Sequence, residues 1–105
     1  MADITRTKRE NEILTDIIEI VKRYLDPERI ILFGSRAKQN YRKSADFDIA
    51  IEKEPVDIRT ERKIKEEIEQ VAGLYKVDLI FLKNVDSRFR EMIIKTGQVV
   101  YERKN

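Results

Sequence analysis

The fold of this chain is decided by residues 30–51, which read IILFGSRAKQNYRKSADFDIAI. The stretch opens with the continuous apolar run Ile30–Phe33, which is typical of a buried strand and ends at a glycine. It closes with strict alternation over Asp46–Ile51, which predicts a second strand with Asp46 and Asp48 on one face and its large apolar residues on the other. We expect the two strands to form a hairpin-like pair joined by a polar, basic connection.

Apolar residues recur at helical spacing both before and after this pair of strands in the sequence. Upstream, the run 11–25 predicts a helix, which Thr7 and Glu10 precede in the form of a capping box. Its apolar stripe comprises Ile13, Leu14, Ile17, Ile18, Val21, Tyr24 and Leu25. Downstream, the pattern predicts a helix over 57–72, a strand over 77–82, a helix over 87–96 and a short edge strand over 99–101. The order α-β-β-α-β-α-β predicts an α/β (α+β) fold, a mixed sheet with helices packed on it.

The length and the charge of the chain bound its class. Its 105 residues fit a single domain over 1–105, with residues 1–9 and 103–105 expected to be flexible. The 22 basic and 20 acidic side chains leave a net charge of +2, which is too near neutral to indicate general nucleic-acid binding, although nucleic acid stays open as a partner. No apolar run approaches membrane length, so we expect a cytoplasmic protein with no membrane partner.

The chain contains neither cysteine nor histidine. This excludes disulfides, thiolate nucleophiles, imidazole general bases and every zinc site built from sulfur or imidazole. Chemistry must therefore use carboxylates, hydroxyls, basic side chains and backbone N–H groups. A catalytic metal would have oxygen ligands only, which favours Mg²⁺ or Mn²⁺.

Three carboxylates are candidate metal ligands. Asp46 and Asp48 lie two residues apart on one strand face, with their Cα atoms ~6–7 Å apart. Asp78 interrupts an apolar run, where an unpaired charge is costly. If the crossover places its strand beside the Asp46 strand, the three acids meet at one rim of the sheet and require a cation, for which Mg²⁺ is suited. The alternative is ordinary surface patterning, with Asp78 paired to a lysine.

The segment Gly34-Ser35-Arg36 follows the first strand directly and is a candidate phosphate-binding turn. Glycine lets the backbone approach a phosphate closely, and serine adds a hydroxyl and an N–H group. Arg36 and its basic neighbours Lys38, Arg42 and Lys43 could balance phosphate charge. The alternative is a plain turn followed by a solvated basic loop.

The combination of these motifs is more specific than any one of them. Gly34-Ser35, ten intervening residues, Asp46-x-Asp48 and a third acid, Asp78, resemble the signature of the DNA polymerase beta-like nucleotidyltransferases. Over residues 10–102 the chain is similar to the minimal nucleotidyltransferase (MNT) family of that superfamily. Two positions depart from the family pattern: Ala45 stands where many members have serine, and no glycine lies near Gln39.

The resemblance implies roles for these residues. Gly34 and Ser35 would hold the β- and γ-phosphates of a nucleoside triphosphate, and Asp46 and Asp48 would ligate the bridging metal. Asp78 would hold a second metal or accept the proton of the attacking hydroxyl. We therefore expect a metal-dependent nucleotidyltransferase that moves a nucleoside monophosphate, AMP from ATP by default, to an acceptor hydroxyl.

The acceptor is left open by the residues themselves. The family resemblance implies a HEPN-domain toxin partner, which an MNT-type antitoxin adenylylates on tyrosine. Two alternatives stand beside it. The first is a small-molecule or nucleic-acid nucleotidyltransferase acting as a homodimer. The second is a non-catalytic antitoxin that neutralises its partner by contact alone.

Overall fold

The computed structural model describes residues 7–38 and 46–104. The helices are α1 (Lys8–Leu25), α2 (Ile58–Ala72) and α3 (Ser87–Thr96), and the strands are β1 (Arg29–Phe33), β2 (Phe47–Glu52), β3 (Val77–Phe81) and β4 (Gln98–Glu102). Two short 3-10 turns, Gly34–Ala37 and Leu82–Asn84, follow β1 and β3. The predicted α-β-β-α-β-α-β order is confirmed, with Asp46 lying one residue before β2 rather than within it.

The four strands form one mixed sheet in the order β3-β2-β1-β4. β1 is antiparallel to both β2 and β4, whereas β2 and β3 run parallel because α2 carries the chain back to the same end of the sheet. β2 therefore lies between β1 and β3, as the hairpin and crossover predicted. This arrangement brings the C-terminal end of β1 and the N-terminal ends of β2 and β3 together at one end of the strands.

The two faces of the sheet are covered differently. α1 and α2 pack on one face, where Ile13, Ile17 and Ile64 join the inward residues Ile30 and Ile49 in the larger core. α3 packs on the other face, where a smaller cluster comprises Ile31, Phe33, Ala50, Leu82 and Ile93. Alternation along β2 assigns Phe47 and its apolar partners to the first face and Asp48 to the second.

The described ends of the chain are held by specific contacts. The capping box is confirmed: the Thr7 N–H donates to Glu10 Oε1 over 2.7 Å, and the Glu10 N–H donates to Thr7 Oγ1 over 3.1 Å. Lys8 and Arg9 form the first turn of α1, and the Arg103 N–H donates to the Glu28 carbonyl over 2.9 Å. Within residues 7–38 and 46–104, no helix is both long enough and apolar enough to cross a bilayer.

Candidate active site

The pairing of β2 with β3 brings two of the predicted acids together. Asp48 and Asp78 are direct partners in this parallel pair, so their side chains project from the same face of the sheet. Asp46 lies two residues before Asp48, immediately before β2. All three side chains are half-buried. The arrangement expected from the sequence, with Asp78 on the same side of the sheet as Asp48, is therefore present.

The ionised carboxylate of Asp48 is in an unfavourable electrostatic environment. Burial raises the pKa of the Asp48 carboxyl above its ordinary value of 3.8, the negative charges of Asp78 and Asp46 raise it further, and Lys76 offsets only part of the effect. None of the three acids forms an ion pair with another described residue. The alternative in which Asp78 pairs with a lysine therefore has no support among these residues.

The three acids do not form a ready ligand shell for a metal. In the part of the chain that the structure describes, no group of three acidic side chains is arranged to hold an ion. Mg²⁺ in phosphate-transfer sites needs only one or two carboxylates, because the substrate's phosphates and water supply the remaining oxygens. The carboxylates of Asp46 and Asp48, with an unfavourable negative charge at Asp48, fit that requirement.

Gly34 places the predicted phosphate-binding turn against Asp48. Its φ is +72°, in the left-handed region that favours glycine. A Cβ atom at this position would overlap Asp48 Oδ2, so only a glycine allows the carboxylate to occupy this space. The 3-10 turn continues through Ser35, which is exposed. The structure therefore brings Gly34, Ser35 and Asp48 to one place.

Arg36 lies in the same turn, but its side chain points into the protein. The side chain is 0% exposed, and its Nη1 donates to Glu10 Oε2 over 3.0 Å. The guanidinium carbon lies 4.2 Å from the ring centroid of Phe47 and 5.2 Å from that of Tyr75. The structure thus packs the Arg36 side chain against Glu10, Phe47 and Tyr75, and not among the three acids, where it could balance phosphate charge.

The sequence pattern predicts Glu10 only as a helix cap, and the structure shows that its side chain is also buried. Burial alone would raise the pKa of its carboxyl, but hydrogen bonds from Thr7 and Arg36, with the charge of Arg36, hold that pKa below the ordinary 4.5. A signal for this burial exists in the sequence. Glu10 precedes Ile13, Leu14 and Ile17 by three, four and seven residues, which is the spacing of the buried stripe.

A cavity of about 560 Å³ adjoins Asp78 on the outer side of the sheet. Tyr75, Lys76 and Asp78 line it from β3 and the segment before it, and Lys65 and Glu69 line it from α2. Because β3 is an edge strand and α2 packs on the face opposite Asp48, this cavity lies at the outer edge of the sheet on the α2 side. The predicted features at Gln39, Arg42, Lys43 and Ala45 lie outside the described residues.

Comparison with known proteins agrees with this geometry. Residues 15–105 match the family described as polymerase beta, nucleotidyltransferase. The chain is 31% identical over 90 residues to a probable protein adenylyltransferase, MntA, of Haemophilus influenzae, covering 84% of this chain and 79% of that protein.

Two solved structures share the fold at lower identity. One is a toxin–antitoxin complex with AMP-PNP, with a TM-score of 0.72, 18% identity, and coverage of 86% of this chain and 73% of the other. The second holds a tri-AMPylated Shewanella oneidensis HEPN toxin in complex with an MNT antitoxin, with a TM-score of 0.67, 18% identity, and coverage of 90% and 73%. The family match, the MntA relative and the shared fold lead to one conclusion: this chain belongs to the polymerase beta nucleotidyltransferase family and is a nucleotidyltransferase of the minimal, MntA-like type.

Proposed function

We propose that this protein transfers AMP from ATP to a hydroxyl group on a protein acceptor and releases pyrophosphate. The observation that carries the proposal is the position of Asp48 between the Gly34 turn at the end of β1 and Asp78 on β3. A triphosphate on one side of Asp48 and an acceptor on the other side would meet at this carboxylate. The MntA relative, a probable protein adenylyltransferase, supports AMP as the transferred group.

Each residue has a role in this reaction. Ser35 presents its hydroxyl and N–H groups to the phosphates, and Gly34 leaves room for that approach beside Asp48. Asp46 and Asp48 would hold Mg²⁺ or Mn²⁺, which when bound neutralises charge on the phosphates. The acceptor oxygen forms a bond to the α-phosphorus as the bond from that phosphorus to the bridging oxygen breaks. Asp78 accepts the proton of the acceptor hydroxyl or contributes to a second metal site.

We further propose that the acceptor is a tyrosine of a HEPN-domain toxin, with this chain as the antitoxin. The support is the Shewanella oneidensis complex, in which an MNT antitoxin of the same fold accompanies an AMPylated HEPN toxin. Asp78 lies on the edge strand β3, which leaves the outer side of the acidic group open to a partner's side chain. A cytoplasmic location would provide ATP and Mg²⁺.

A contact-only antitoxin is the second candidate. The observation that favours it is the absence, among the described residues, of three acids arranged to hold a metal. In that case the toxin would be neutralised by binding, and the acidic cluster would have no catalytic role.

A transfer assay distinguishes the two candidates. The protein is incubated with Mg²⁺, ATP labelled on the α-phosphate and its HEPN-domain partner, and in parallel with tRNA and aminoglycosides. We expect label on a tyrosine of the partner, with loss of transfer in Asp48→Asn and after chelation. Asp57→Asn is the matched control, because Asp57 caps α2 away from the site and asparagine is an equivalent cap. Neutralisation without label transfer would support the contact-only antitoxin.

A further inference from the structure

The Arg36 guanidinium is the centre of a buried cluster that connects the segments carrying the site. Arg36 itself belongs to the turn that begins at Gly34. It is stacked over Phe47, which lies between Asp46 and Asp48, at 4.2 Å. Its other aromatic neighbour, Tyr75, stands three residues before Asp78. The cluster therefore contacts the phosphate-binding turn and the starts of both acid-bearing strands.

Glu10 connects this cluster to the first helix. One of its carboxylate oxygens, Oε1, accepts from the Thr7 N–H over 2.7 Å, and the other, Oε2, accepts from Arg36 over 3.0 Å. The side chains of Glu10 and Arg36 are 2% and 0% exposed. The Phe47 and Tyr75 rings also contact each other edge to face, with centroids 5.6 Å apart. Four separate segments of the chain thus meet around one planar cation.

A buried ion pair of this kind is weak evidence for stability. The cost of removing both charges from water offsets most of their attraction, and apolar replacements of similar volume are often equally stable. Such a pair does constrain geometry, because a guanidinium donates in fixed directions and stacks on ring faces. Its effect is therefore on where the turn and the strand starts lie relative to one another.

We propose that Glu10 and Arg36 are positioning residues for the nucleotide site, holding the Gly34–Ala37 turn in register with the start of β2. The inference rests on the proposed function, because it assumes that this turn binds phosphate. In this proposal the Arg36 side chain does not contact phosphate itself but positions the turn that does. Arg36 acts from beneath the turn, and the backbone and hydroxyl of Ser35 make the contact.

Calorimetric titration of each purified variant with Mg²⁺·ATP tests this role. The fitted stoichiometry reports the folded, binding-competent fraction, whereas the dissociation constant reports how well the site is arranged. Arg36→Lys keeps the charge but loses the planar fork, and we expect a dissociation constant raised by about tenfold, the size of one charge-assisted contact. Glu10→Gln keeps the shape and one acceptor oxygen, which can serve Arg36 while the bond from the Thr7 N–H is lost, so we expect a smaller rise of about threefold and a folded protein.

Ile17→Val is the matched control. Ile17 is buried in the same helix and lies outside the cluster, so this variant lowers stability without touching the turn. We expect its dissociation constant for Mg²⁺·ATP to equal that of the wild type. If Glu10→Gln and Arg36→Lys behave like Ile17→Val, with lower stoichiometry or melting temperature and unchanged affinity, the cluster only stabilises the fold and the inference is wrong. If the wild type itself does not bind Mg²⁺·ATP, the proposed function is overturned, and this inference with it.

Discussion

The Asp48 carboxylate fits against the backbone of Gly34 only because residue 34 has no side chain. The Asp48 carboxylate lies where a Cβ at residue 34 would stand, and the Gly34 backbone has a φ of +72°. Asp48 is also the partner of Phe33, the residue before Gly34, in the antiparallel β1–β2 pair. The turn that is proposed to bind phosphate and the acid that is proposed to bind metal are therefore held in place by the same strand pairing.

This relationship predicts that Gly34→Ala damages the site more than the fold. Left-handed backbone in a non-glycine residue costs about 1–2 kcal/mol, and the added methyl must also displace the Asp48 carboxylate. We expect a lower melting temperature together with loss of Mg²⁺·ATP binding. The measurements are thermal unfolding and titration with Mg²⁺·ATP.

Gly73→Ala is the control for this substitution. Gly73 also has a positive φ, +64°, but the nearest atom to an added Cβ is Arg9 Nη2 at 4.0 Å. Its backbone is also strained for alanine, but the added methyl would not meet an acid, so nucleotide affinity should be unchanged. Equal loss of affinity in both variants would show that the effect is general destabilisation.

Asp48→Asn is predicted to stabilise the ligand-free protein and to abolish its response to Mg²⁺·ATP. The pKa of Asp48 is raised in the folded state, mainly by burial and then by Asp78 and Asp46, so its ionised form opposes folding. Mg²⁺·ATP should raise the melting temperature of the wild type, corresponding to about 2.7 kcal/mol at a hundredfold excess over the dissociation constant. Thermal shift with and without ligand tests both parts.

The pH dependence follows from the same shift. The folded protein binds the Asp48 proton more tightly than the unfolded chain does, so the wild type loses stability as pH rises from 3.8 through the raised pKa of Asp48. Asp48→Asn should lack this part of the profile. An identical pH profile of melting temperature in the two proteins would contradict the assignment.

Asp78→Asn and Ser35→Ala should affect different steps of the reaction. Asp78 lies on β3, a different strand from Asp48, and is proposed to act on the acceptor, so its removal should suppress transfer of AMP while leaving Mg²⁺·ATP binding largely intact. The exposed Ser35 hydroxyl would contact phosphate in the ground state and in the transition state, so Ser35→Ala should mainly weaken binding. Nucleotide titration alongside a single-turnover transfer assay separates the two effects. Transfer by Asp78→Asn at the wild-type rate would rule out its proposed role.

Glu10 should make the fold sensitive to acid. Although burial raises its pKa, the hydrogen bonds from Thr7 and Arg36 and the charge of Arg36 outweigh that effect and place it below 4.5. The stabilisation is therefore complete above 4.5 and is lost as pH falls through the lowered value in the folded state. In Glu10→Gln, the melting temperature should fall less steeply as pH decreases below 4.5. Glu12→Gln, an exposed position on the same helix, should leave this pH dependence unchanged.

Most of the fold could be predicted from the sequence because its signals are local. Helical spacing in 11–25, alternation in Asp46–Ile51 and the glycine after Ala72 each depend on a few neighbouring residues, and each matches an observed element. The predicted β1–β2 hairpin and the β2-α2-β3 crossover together allow only a few strand orders for the sheet. The chain's lack of histidine and cysteine, together with the position of Asp78 in an apolar strand, makes Asp46, Asp48 and Asp78 the candidate acids, and their catalytic role stays a prediction.

What only the tertiary structure decided is which residues meet across the sheet and beneath the turn. The apolar stripe predicted for α1 includes Ile18 and Tyr24, which are half-buried against the core, but omits Ile20, which is fully buried. The sequence pattern also assigned the Arg36 side chain to phosphate, whereas a glutamate 26 residues earlier binds it inside the protein. Periodicity shows that a residue faces inward but not what lies opposite, because that depends on how separate elements pack. The role of a buried charge depends on its partner, and the partner of Arg36 is Glu10, which lies on α1.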